Sequence, residues 1–215
     1  MTIRKSGGAP GTASTVTQNY SSYVLLAETS PLSGTLNPNG SGMTNPQMID
    51  GTGTISFLNI PQTYRDLKIQ LSYLSHNTNN SSHYRFTWWI NGDTTNQRYY
   101  SRGGTQATGT PGWNADNVDR MYGWYTYNHL GNNIAWSSNG EIIIPNYSTT
   151  LKTNFRGMYG TSWNMNNLSY TIPWGWNYYN DNAAKLPVTR LDFSWESDVK
   201  FSEASKITLY GIGAK

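Results

Sequence analysis

Cysteine is absent from this chain of 215 residues. Disulfides, thiol catalysis and cysteine-based zinc sites are excluded, and stability has to come from packing and sheet hydrogen bonds. Charge is sparse: Asp, Glu, Lys and Arg make up 13%. Fifteen basic against twelve acidic residues leave a net charge of +3. The basic residues are scattered singly, so no phosphate-tracking footprint can be drawn and no nucleic-acid partner is expected. No run of eighteen apolar residues occurs, so no membrane span is expected. Ala, Leu, Glu, Lys and Arg are too rare for a helical bundle or coiled coil.

Small polar residues are abundant. Gly, Ser, Thr and Asn make up about 43% of the chain, yet aromatics reach 14%. That aromatic content is too high for a disordered chain. A globule of this length hides about 70% of the surface its unfolded chain exposes, which allows one substantial core.

Short segments alternate apolar and polar residues, with Gly, Asn, Pro and Ser between them. Strands are predicted at Tyr20–Ala27, Thr52–Ile60, Asp66–Ser75, His83–Ile90, Met121–Leu130, Glu141–Ile144 and Thr153–Trp163. Leu168–Ile172, the Leu191–Trp195 alternation and Lys206–Ile212 complete the set, about eight to ten strands in all. Leu67, Ile69, Leu71 and Tyr73 share one face of their strand. Leu67, Ile69, Leu71, Tyr84, Phe86, Trp88, Leu191, Phe193 and Trp195 are the predicted core. Asn91-Gly92-Asp93 supplies residues that tolerate positive φ in a turn. The pattern specifies an all-β, antiparallel β-sandwich or jelly roll with long polar loops, over one domain from 20 to 215. Residues 30–51 and 101–117 read as polar excursions.

The first nineteen residues, MTIRKSGGAPGTASTVTQN, carry Arg4 and Lys5 without a following apolar segment. They read as an extended arm rather than a secretory leader. The arm is expected to lie across a neighbouring subunit.

Catalytic and metal chemistry find little support. Gly103–Gly112 contains no Lys and precedes no helix, so it is not a phosphate loop. His76 and His83 could meet across a hairpin, but no third ligand is evident, and His129 stands alone. Asp116 with Asp119, or Asp192 with Glu196 or Asp198, are the carboxylate pairs available for glycoside hydrolysis. Asp192 lies on the polar side of its alternation, where an ordinary surface acid belongs. No orienting group accompanies either pair, so no enzyme activity and no cofactor or metal is expected.

The aromatics need a reason. Trp88 and Trp89 are adjacent and point to opposite faces of a strand. Pro173-Trp174-Gly175-Trp176-Asn177-Tyr178-Tyr179 reads as an aromatic loop. Trp174, Trp176, Tyr178 and Tyr179 are candidates to stack on a glycan or to anchor a partner. Ile3, Arg4, Lys5, Trp89 and Trp113 are candidate partner contacts. Burial inside the sandwich is the plain alternative for these rings.

SSYVLLAET, FLNIPQTYRDLKIQLS, INGD at Ile90–Asp93, EIIIPNY at Glu141–Tyr147 and ITLYGIG at Ile207–Gly213 occur in this order across residues 20–213. Together they resemble a β-sandwich module of bacteriophage virion and tail-fibre proteins, including those of cyanophages. The resemblance implies a non-enzymatic structural protein on the exterior of a particle, made in the host cytoplasm. Only about twenty residues precede the module, with no shaft repeats, which suits a capsid-decorating (cement) subunit that self-associates and contacts other virion proteins. A tail-fibre, receptor-binding protein recognising host-surface glycans is the alternative. A free-standing carbohydrate-binding module is a weaker one.

Overall fold

The structure, a computed structural model, describes residues 23–29, 47–49, 53–76, 84–103, 114–126, 138–152, 155–164, 172–179, 185–202 and 205–214. The described residues form thirteen strands: β1 (Tyr23–Thr29), β2 (Gln47–Ile49), β3 (Thr54–Phe57), β4 (Tyr64–Leu74), β5 (Tyr84–Ile90), β6 (Tyr99–Gly103), β7 (Asn114–Val118), β8 (Met121–Thr126), β9 (Ser138–Ile144), β10 (Phe155–Asn164), β11 (Ile172–Tyr179), β12 (Leu191–Trp195) and β13 (Lys206–Ala214). A 3-10 turn covers Glu196–Asp198. Eight strands form one sheet in the order β1-β13-β4-β9-β10-β11-β6-β7, and five form a second, β2-β3-β12-β5-β8. Each recorded strand pairing is antiparallel.

Alternation decides which side chains meet between the sheets. Leu67, Ile69 and Leu71 of β4 are buried, and their cross-strand partners Ile142, Ile144, Ile207 and Leu209 join them. The smaller sheet answers with an aromatic ladder. Phe193 lies edge-on to Phe57 and stacks with Phe86 and Trp88, at centroid distances of 5.9–6.3 Å. Rings packed this way add about 0.5–1.5 kcal/mol per pair beyond area burial. The predicted core is buried throughout except for Tyr84, which is partly exposed.

Three expectations change. Tyr73 leaves the face of Leu71: its φ is +53°, the β4–β9 register shifts between Leu71 and Leu74, and Leu74 takes the core position. A bulge of this kind inserts one residue and resets the alternation. The side-chain carbonyl of Asn139 accepts the Tyr73 amide at 2.9 Å. The 172–179 stretch is a strand rather than a loop, paired with β10 from Ser162↔Ile172 to Phe155↔Tyr179. Both polar excursions carry strand: 30–51 contains β2, paired with β3, and 101–117 begins and ends in the paired strands β6 and β7.

The INGD segment makes the predicted turn. Asn91 and Gly92 have φ of +52° and +70°, and the Asp93 amide donates to the Ile90 carbonyl at 3.0 Å. Asn91 Oδ1 also accepts the amides of Thr189 (2.9 Å) and Arg190 (3.2 Å), which pins the chain leading into β12.

Arg156 of β10 points inward and is almost wholly buried. Its guanidinium donates to the carbonyls of Asn146 (3.1 Å), Thr149 (3.3 Å) and Leu186 (2.8 Å). Burial pulls its pKa down to about 10.

Candidate functional site

The aromatic candidates Trp174, Trp176, Tyr178 and Tyr179 all lie in β11, and the structure divides them. Trp176 and Tyr178 face inward and are fully buried. Trp176 packs edge-on against Trp88 at 5.4 Å. Its indole N–H donates to the Tyr122 carbonyl at 2.7 Å, while the Tyr122 amide donates to Ser101 Oγ at 2.9 Å. Tyr122 lies on β8, an edge strand, so side chains of the larger sheet satisfy the backbone groups of this edge position. Gly160 is the complement of Trp176. A Cβ there would lie 2.1 Å from the Glu141 carbonyl oxygen and 3.0 Å from the indole.

Tyr178 stacks on Tyr99 with centroids 4.8 Å apart, and its hydroxyl donates to Asp93 Oδ2 at 2.5 Å. The Tyr99 hydroxyl donates to the Asp93 carbonyl at 2.6 Å. Burial, the largest cause, and the neighbouring Tyr178 push the Tyr99 pKa far up. These rings therefore hold the INGD turn against the larger sheet and present no face for a sugar.

Tyr179 is 42% exposed. Trp174 lies in β11 opposite Gly160. Trp89 is only 8% exposed and is covered by the Arg120 guanidinium, 5.5 Å from the ring centroid. Arg120 is itself paired with Asp119 at 2.8 Å. Ile3, Arg4, Lys5 and Trp113 lie outside the described residues, as do His83 and His129.

Asp192 overturns the surface-acid reading. It is fully buried, because β12 is central and covered on both faces. Ser56 Oγ donates to it at 2.5 Å, and Arg190 grips both carboxylate oxygens, at 2.8 and 2.9 Å. Glu196 faces Arg85 at 3.8 Å. Four residues of extended chain span about 13 Å, beyond the ~5–10 Å that a carboxylate pair needs for glycoside hydrolysis. His76 is buried edge-on to Tyr84 and Trp195. Among the described residues no group of three or more His, Asp or Glu could hold a metal, and no helix is long and apolar enough to cross a membrane.

The large rings that do reach solvent include two on the outer face of the eight-stranded sheet that sequence reasoning did not single out, Tyr23 (58%) and Tyr159 (56%). Tyr23 of β1 lies edge-on to Tyr210 of β13 at 6.2 Å, with the Lys68 ammonium 5.3 Å from its centroid. Lys68 also pairs with Glu141 at 2.7 Å. Alternation could have found Tyr159, since its neighbours Met158 and Gly160 are inward positions.

Comparison with known proteins finds no matching family model, no similar characterised sequence and no solved structure of similar fold.

Proposed function

We propose that this chain is a non-catalytic structural protein of a bacteriophage particle exterior, a capsid-decorating subunit attached through its first nineteen residues. The observation that carries the reading is the patch of Tyr23, Tyr210 and Lys68. It sits on the outer face of β1, β13 and β4, at the edge that β1 forms in the larger sheet. Exposed tyrosine is enriched where proteins dock on one another, and Tyr23 is 58% exposed. The order of the five motifs along residues 20–213 supports the virion setting.

Deletion of Met1–Asn19 tests it. The truncated protein should fold with an unchanged β circular-dichroism spectrum and fail to bind particles that lack the native copy. Undiminished attachment refutes the mechanism. Quantitative mass spectrometry of purified particles should give hundreds of copies, since head and tail obey different symmetries. About a dozen copies would place the chain in the tail and favour receptor binding.

A further inference from the structure

Three glycines of the larger sheet, none with a positive φ, differ in what surrounds them. Gly160 and Gly211 are demanded by the interior: an added Cβ would collide with the Glu141 carbonyl or, at 2.4 Å, with the Tyr64 ring. At Gly175 a Cβ would meet nothing within 4 Å. Its φ is not positive, so no turn requires it either. A glycine inside a strand costs stability and marks a place where something approaches the backbone closely.

The surroundings of Gly175 indicate what approaches. Trp176 and Tyr178 face inward, so Gly175, Asn177 and Tyr179 form the outward row of β11. Gly157, Tyr159 and Thr161 form the outward row of β10. The register sets Tyr159 opposite Gly175 and Gly157 opposite Asn177, so bare backbone alternates with a ring and an amide. Among the described residues, the Tyr159 ring, the Asn177 amide and the Thr161 hydroxyl have no side-chain partner. Glu141, opposite Thr161, is neutralised by Lys68, and on the other side of β11 the backbone of Arg102 in β6 lies in register with Gly175.

We infer that this outer face of β10 and β11 is a binding site for a neutral glycan. A pyranose would lie over Gly175 with its C–H face against Tyr159 and its hydroxyls on Asn177 and Thr161. Two strands by five residues cover about 10 by 13 Å. That suits one or two sugar rings and falls far short of the ~800 Å² per partner of a stable protein interface. The patch is two strands beyond Lys68, roughly 10 Å away, so it is separate from the Tyr23 patch and independent of particle attachment.

The test is a glycan array of neutral hexose and N-acetylhexosamine oligosaccharides probed with the full chain, followed by calorimetric titration of the strongest binder. Gly175→Val adds atoms only into open space and suits a strand, so its melting temperature should match or exceed that of the wild type. It should weaken binding by about tenfold or more, as should Tyr159→Ala. Absence of any bound glycan for the wild type, or full binding by Gly175→Val, overturns the inference. So does a concentration-dependent dimer, seen by sedimentation, that both variants abolish.

Discussion

Replacing Arg156 with methionine keeps an unbranched apolar stem in the same space and removes only the guanidinium. Three charge-assisted donations are lost, to Asn146, Thr149 and Leu186. Bonds to a charged donor contribute about 1.5–3 kcal/mol each, a gross loss of roughly 5–9 kcal/mol. Against this stands the cost of keeping the cation buried. A pKa drawn down to about 10 by burial corresponds to on the order of 3 kcal/mol against the charged form. The net destabilisation is therefore about 2–6 kcal/mol, or a melting-temperature drop of roughly 4–24 °C for a domain of this size. Urea unfolding followed by near-ultraviolet circular dichroism measures it, and hydrogen exchange localises it. Amides of residues 145–152 and 185–188, the segments that Arg156 ties together, should lose protection first. Arg156→Lys should recover part of the loss, because an ammonium lacks the planar fork that reaches three carbonyls. A methionine variant within about 0.5 kcal/mol of the wild type would refute the accounting.

The alkaline limit of stability should be set by buried tyrosines. Burial pushes Tyr147 up to about 12, and its hydroxyl donates to the Pro61 carbonyl. A folded pKa above the unfolded value near 10 means that its contribution is complete below pH 10 and is lost between about pH 10 and 12. Arg156 acts with the opposite sign above about pH 10, since its folded pKa is the lower one, but Tyr99 and Tyr122 are raised as well and the net slope is downward. Tyr147→Phe should flatten this limb in pH-dependent thermal unfolding; an unchanged slope would count against it. Gly160→Ala should destabilise by about 3 kcal/mol or more, because the clash is with the rigid Glu141 backbone, and denaturation of the purified variant reads this directly. Asp192→Asn should cost about 1–3 kcal/mol in the same assay, as Arg190 and Ser56 lose a charged acceptor.

Alternation made most of the fold legible. β4, β5 and β12 announce their inner faces in sequence, and the all-β architecture follows from them. Misreadings arose where one local signal competed with another. Pro173 and Gly175 have turn composition, yet they lie in β11 between β10 and β6, held by pairing that the sequence does not display. Asp192 has the alternation of a surface residue, which holds only for a sheet wet on one side. Its strand is central and dry on both sides, and only the Arg190 and Ser56 contacts make that position tenable. Tyr73 sits in a bulge where its amide is accepted by Asn139, 66 residues away in sequence, a contact that local alternation does not display.

The same competition explains why the aromatic residues were hard to assign. A Trp or Tyr reads alike whether it fills a core, seals an edge or faces a ligand, and the glycine across the strand pair distinguishes these cases. Gly160 yields to Trp176 from inside, so that ring belongs to the architecture and its N–H is spent on Tyr122 of the edge strand β8. Gly175 yields to nothing inside the molecule, so the ring opposite it, Tyr159, faces outward with bare backbone at its side. One strand pair thus does both jobs with opposite faces. The buried rings stiffen β10 and β11 from below, and a platform of fixed shape can then stand on them without loops to position it.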